Sequence, residues 1–382
     1  MSESRTASAV PLAPASITRQ HAQFPALDGL RAIAAISVVA FHVELDGYGG
    51  FGPASHFVRH LDSGVALFFL LSGFLLYRPF VAARVEGRHI ALPTYFTRRI
   101  VRIVPAYWLA LFALAIWPGI PGFYNGPWLA AAAFLQIYSH HFENYGLTVA
   151  WSLCTEVTFY LALPLYAAVV GAVARRARTQ RRFSIEVGGL VVLTVGSLAV
   201  HIAVGSTASG DLGYTLPSTA YLFCGGMLLA ACSVYREPLL SRKLAAIADH
   251  RSLCWLVAFG LLLLISFKGG ILGPTDPLYE PVAFLLLLPV TLAPRRSARL
   301  DRILATRAIV TMGILSYGIY LWHNPLIPPL ARALGGVGSF GDGLGLLVVT
   351  VAAATLAATI SYRLVERPAL AFAHRRTLTS NP

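Results

Sequence analysis

The stretch from Pro25 to Glu44, PALDGLRAIAAISVVAFHVE, is apolar over the length of a membrane-crossing helix, yet it carries two ionisable side chains, Arg31 and His42. About twenty apolar residues span the hydrocarbon core of a bilayer as an α-helix. A helix is also one of the few structures that satisfies its own backbone polar groups there. A charged side chain near the centre of such a helix costs roughly 2.5–3.5 kcal/mol on insertion scales, so its presence points to function. Eleven residues at about 100° each close nearly three turns, which puts Arg31 and His42 on one face, about 16 Å apart along the axis. Arg31 is expected near one membrane surface and His42 deep toward the other. Taken singly, Arg31 could snorkel to the interface and His42 could be a packing histidine. Together on one face they form a candidate functional pair.

The rest of the chain fits the same environment. Its 382 residues are 56% hydrophobic and 12% charged, with a mean hydropathy of +0.66, outside the range of a soluble globular domain. The net charge of +13 would suit nucleic acid only if the basic residues were grouped on a folded face. They lie instead in short runs between apolar segments and report topology. Cys154, Cys224, Cys232 and Cys254 all fall in apolar stretches without metal-ligand or disulfide-framework spacing. Cys154 stands two residues from Glu156, the wrong helical spacing for joint chemistry, and is expected to pack. No cleaved signal peptide is expected: the polar residues 1–22 lack a small-residue cleavage site after a short apolar core.

Ten spans follow from the apolar segments, near residues 25–44, 64–77, 101–117, 149–174, 186–205, 214–234, 252–267, 278–294, 309–329 and 340–362. The third is expected to begin near Val101, with Pro105 in its first turn. Residues 127–139 are apolar but short for a span and are expected to be re-entrant or interfacial. If they crossed, the run ARRARTQRR would face outward. The positive-inside rule therefore keeps them on one side and both termini in the cytoplasm. Of 30 Lys and Arg residues, only Arg59, Lys268 and Arg332 then lie outside. The expected fold is an all-α polytopic integral membrane protein of about ten transmembrane helices with one short re-entrant or interfacial helix. A disordered cytoplasmic N-terminus is expected over residues 1–22, the membrane domain over 23–370, and a cytoplasmic tail over 371–382. No inter-span loop is long enough for a soluble domain.

Four places combine polarity with an apolar setting. One is the Arg31/His42 pair. In YFTRRIVRIVPAYW, Arg99 and Arg102 are three apart and share a helix face, and arginine forks bind phosphate bidentately. Glu156, in WSLCTEVTFY, is a carboxylate a few residues inside a span and so is expected near the outer surface. In SYGIYLWHNPL, Tyr320 and His323 are three apart and can meet, either as packing or as part of a substrate site. A transporter or flippase with polar residues along a substrate path would show the same residue types. No internal repeat of the kind seen in two-half transporters stands out.

LDGLRAIAAISVVAFH, FFLLSGFLLY, YFTRRIVRIVPAYW, WSLCTEVTFY, SYGIYLWHNPL and SYRLVERPAL resemble, in that order, the signature segments of the acyltransferase 3 family of membrane O-acyltransferases. The resemblance covers about Pro25 to Leu370. It implies transfer of an acyl group, usually acetyl, from cytoplasmic acyl-CoA to a hydroxyl of a carbohydrate, a lipid-linked glycan or a small glycosylated acceptor, in the inner (cytoplasmic) membrane of a bacterium and among its lipids. It implies acyl-CoA as co-substrate, with no permanently bound cofactor and no metal. His42 carries over as general base or transient acyl carrier, with Glu156 as a further member of the catalytic site. Arg31, Arg99 and Arg102 carry over as groups serving the acyl donor, and Tyr320, His323 and Trp151 are expected to meet the substrate. One departure is Ala66, where the family often has an acidic or polar residue. The soluble domain fused to some members is not expected here.

Overall fold

The computed structural model describes residues 24, 26–48, 50–120, 123–138, 146–205, 210–267, 273–293 and 299–379. The expectations for residues 1–22 and for Lys268 lie outside them. Every apolar segment read as a span is helical, and among the described residues no strand forms. With single turns left unnumbered, the helices are α1 (Ala26–Val43), α2 (Ser63–Val85), α3 (Leu92–Leu114), α4 (Trp128–Ala132), α5 (Trp151–Ala174), α6 (Thr179–Gly205), α7 (Tyr221–Val234), α8 (Leu239–Asp249), α9 (Arg251–Phe267), α10 (Tyr279–Leu292), α11 (Arg307–Ala333), α12 (Phe340–Ser361) and α13 (Arg367–Thr379).

One detail departs from the sequence expectation. Helix α3 starts at Leu92 with a proline in its first turn, so Arg98, Arg99 and Arg102 lie inside the helix and Pro105 falls mid-helix. The arginines set the edge of the apolar run, but arginine is a good helix former and does not end a helix. Helix α13 reaches Thr379. As expected for a segment that does not cross, residues 127–138 form only the five-residue helix α4, about 7.5 Å long and too short to cross a bilayer.

Among the described residues, six helical stretches are long and apolar enough to cross a membrane, and α8 and α9, bent by 86° at their junction, make a seventh if counted as one span. Helices α7 and α10 have 14 residues each, about 21 Å and short of the roughly 30 Å core. Both are apolar on all sides and largely buried against α2, so protein rather than lipid surrounds them. Helix α11 is long enough at 27 residues, but its tyrosines, His323 and Asn324 make it too polar to pass as a lipid-facing span. By contrast, Val191, Val192, Val195 and Ile202 of α6 point outward, as befits a helix at the lipid boundary.

At the centre, α2 and α7 cross with their backbones in contact. A Cβ added to Gly226 would collide with the Leu70 carbonyl oxygen, and one added to Gly73 with that of Phe223. Small residues at such crossings let helices pack where lipid supplies no hydrophobic drive. Helix α1 lies in the interior against α2 and α11, and that contact sets the face it shares with the functional side chains.

Candidate active site

A cavity opens among α1, α2, α3, α5 and α11, lined by Arg31, Arg99, Arg102, Glu156, Ser152 and Tyr320. Each helix delivers its residues at helical spacing. Helix α3 presents Arg99 and Arg102 on one face and leaves Arg98 exposed. Helix α5 presents Ser152, Glu156 and Tyr160 at four-residue intervals, one above the other. The frame is tied by side-chain hydrogen bonds to backbone. The Tyr317 hydroxyl donates to the Ile103 carbonyl over 2.9 Å, joining α11 to α3, and the Tyr95 hydroxyl donates to the Tyr160 carbonyl over 3.2 Å, joining α3 to α5.

The arginines share the cavity with the carboxylates of Asp28, Glu156 and Glu366 but form no direct ion pair with them. Arg31 Nε donates to Ser316 Oγ at 3.3 Å. Arg99 Nε is buried with no hydrogen-bond partner among the described residues. Among those residues no carboxylate oxygen comes within 4.0 Å of any of the three guanidinium groups. Glu156 accepts a hydrogen bond from the Ser72 hydroxyl instead. A buried donor without a partner is costly, and one facing a cavity is positioned for an anionic ligand.

At the inner end of the cavity the Tyr320 and Ser152 hydroxyls meet at 2.7 Å, and Tyr320 also donates to the Val149 carbonyl at 2.8 Å. Beyond Tyr320 lies a pair of histidines. The ring of His323 sits 5.8 Å from that of Tyr320 and 4.9 Å from that of His42, with His323 Nε2 3.2 Å from His42 Nδ1. Arg31 and His42 thus project toward the same neighbour, α11, meeting Ser316 and His323, two turns apart. His42 and His323 do not line the cavity; Tyr320 stands between it and them. Trp151 does not line the cavity itself; it packs against Tyr214, at 4.5 Å, and behind the lining residue Phe69, at 6.0 Å. Cys154 is buried and unbonded to any other cysteine.

Tyr317, read from the sequence on the same span as Tyr320 and His323, also lines the cavity, as do Asp28, Ser72, Ser152, Tyr160 and Glu366, which were not singled out from the sequence. A usable signal existed for some of them: Ser152, Glu156 and Tyr160 form a polar stripe at four-residue spacing on an otherwise apolar helix. Glu366, from the turn after α12, has no such stripe.

The family model for the acyltransferase domain matches residues 24–363, nearly the whole described region. The chain belongs to this acyltransferase family. Relatives include YrhL of Bacillus subtilis, 28% identical over 92% of this chain and 55% of the relative. The peptidoglycan O-acetyltransferase OatA of Listeria monocytogenes is 25% identical over 90% of this chain and 55% of the relative. The O-acetyltransferase OatA of Staphylococcus aureus is 24% identical over 90% and 57% respectively. The chain therefore spans a little over half the length of these relatives. No solved structure matches it. The segments that carry acyltransferase family resemblance are the ones that build the cavity and the histidine pair: α1, α2, α3, α5 and α11.

Proposed function

We propose that this protein is a membrane O-acyltransferase that moves an acyl group, acetyl in the simplest case, from cytoplasmic acyl-CoA to a hydroxyl of a cell-envelope carbohydrate. The observation that carries this reading is the cavity in which Arg31, Arg99 and Arg102 meet without carboxylate partners among the described residues. CoA carries several phosphates, and guanidinium forks bind phosphate oxygens with directed, charge-assisted hydrogen bonds. The phosphates dock at these arginines, on the cytoplasmic side of α1. The pantetheine arm runs inward toward Tyr320 and Ser152, and the thioester reaches His42 when the Tyr320 side chain, which separates the cavity from the histidine pair, swings aside.

His42 then acts as general base. Its unprotonated nitrogen takes the proton of the acceptor hydroxyl while that oxygen attacks the thioester carbonyl carbon. The carbon–sulfur bond breaks, the CoA thiolate leaves, and it is reprotonated from His42. An acyl-histidine intermediate gives the same balance in two steps. The names of the Bacillus and Listeria relatives, both given as peptidoglycan O-acetyltransferases, support peptidoglycan as the acceptor class. The protein sits in the cytoplasmic membrane with both termini in the cytoplasm, so the donor is met on one side and the acceptor on the other.

The test is expression in a bacterium deleted for its own envelope O-acetyltransferases, followed by mild alkaline release of acetate from purified peptidoglycan and other envelope glycans. Acetate above the vector control in one glycan fraction supports the reading. No new acyl ester in any fraction, with the protein present in the membrane, counts against it.

A further inference from the structure

The contacts of the two buried imidazoles decide where their hydrogens are. His323 Nδ1 lies 2.9 Å from the Tyr320 carbonyl oxygen and 3.2 Å from that of Ile319. Carbonyl oxygens only accept, so this nitrogen carries the hydrogen, and in a neutral ring the Nε2 is then a bare acceptor. That acceptor faces His42 Nδ1 at 3.2 Å, and the same His42 Nδ1 lies 2.9 Å from the Val38 carbonyl oxygen. His42 Nδ1 therefore carries its hydrogen between two acceptors, and His42 Nε2 is left without one. The opposite tautomer would set a lone pair of His42 against two others. Among the described residues no carboxylate is bonded to either ring, and a buried imidazolium without a counter-charge is costly, so both rings are neutral.

We infer that His323 is a positioning residue that fixes the tautomer and ring orientation of His42, leaving His42 Nε2 as the bare nitrogen that accepts the proton in acyl transfer. This rests on the acyltransferase reading for its consequence, but not for its geometry. Val38 belongs to α1 itself and moves with His42; His323 alone ties the ring to another helix, α11. When His42 becomes an imidazolium, its Nδ1–H bond to His323 strengthens, since charged donors make stronger hydrogen bonds. The hydrogen stays on His42 Nδ1. Moving it would place the charge on His323, which is fully buried and already commits its own N–H to the backbone.

The experiment uses the full chain in lipid nanodiscs, with histidine labelled by nitrogen-15 and the His42 signals assigned by their loss in His42→Gln. The wild-type spectrum is expected to show His42 protonated at Nδ1 and bare at Nε2. His323→Asn keeps a donor for the Tyr320 carbonyl but withdraws the acceptor from His42. It is expected to give a mixed His42 tautomer and a kcat for thiol release from acetyl-CoA lower by about tenfold, the worth of one good hydrogen bond, with the KM for acetyl-CoA unchanged. His323→Gln places an amide oxygen at the former Nε2 position and is expected to restore both readouts. A wild-type His42 protonated at Nε2, or His323→Asn with unchanged spectrum and kcat, overturns the inference. A wild-type protein with the expected spectrum but no turnover of acetyl-CoA supports the inference and counts against the acyltransferase reading.

Discussion

Arg99 allows binding and folding to be separated by sign. Its Nε is buried and unpartnered among the described residues, so the folded protein bears an unmet desolvation cost of about 1–3 kcal/mol there. In the bound state the same group meets a CoA phosphate in a charge-assisted bond of about 1.5–3 kcal/mol. Arg99→Met keeps most of the side-chain volume and removes the guanidinium. CoA should then bind about 10- to 150-fold more weakly, at 1.4 kcal/mol per factor of ten, while the unliganded protein becomes no less stable and melts at an equal or higher Tm. Equilibrium titration of CoA against purified protein in detergent gives the first quantity, at fixed salt because phosphate contacts are screened. Thermal unfolding of the same samples without ligand gives the second. Arg98→Met is the control: Arg98 is exposed one position away on another face and should change affinity by no more than about threefold, the scale of an exposed charge. Unchanged CoA affinity in Arg99→Met would refute the docking argument. A loss of affinity matched by a loss of stability would show that Arg99 is structural.

Two further tests, with three substitutions, probe the frame that holds the site. Glu44, buried at the end of α1, accepts from Arg59 Nε at 3.1 Å and from the Phe51 amide at 3.4 Å, and Arg59 itself is 42% exposed. Arg59→Met should cost about 1–2 kcal/mol, below the value for a fully buried pair because water screens Arg59, and Arg59→Met with Glu44→Gln should recover much of it; a double-mutant cycle by thermal unfolding in detergent checks both. Gly226→Val should prevent correct assembly of α2 against α7, because no rotamer moves its Cβ off the Leu70 carbonyl; the check is the fraction of protein that elutes as a single species from detergent size exclusion.

What the sequence made legible was local. The shared face of Arg31 and His42, the face of Arg99 and Arg102, and the adjacency of Tyr320 and His323 all follow from helical spacing, and the structure places each pair as the spacing requires. Membrane length was harder to read. Segments 221–234 and 279–292 look like spans because they are apolar all round, and a helix enclosed by protein has the same composition as one enclosed by lipid. The start of α3 was misplaced because charge marks where a helix meets water, not where its hydrogen bonds begin. The contact of His42 with His323, 281 residues away, and the arrival of Glu366 at the cavity depend on how helices pack, which spacing within one segment does not encode. Trp151, expected to meet the substrate, stands behind Phe69 of the lining rather than in it, a placement that also depends on how α2 and α5 pack.

The most direct measurement is acyl transfer by the purified, reconstituted protein. Supplied with acetyl-CoA carrying a labelled acetyl group and with a peptidoglycan-precursor acceptor, the wild-type protein is expected to form an alkali-labile acetyl ester. His42→Ala, with unchanged Tm and unchanged CoA affinity, is expected to lose transfer by at least about 100-fold, the lower end of what a positioned general base contributes. Transfer by His42→Ala at the wild-type rate would contradict the account.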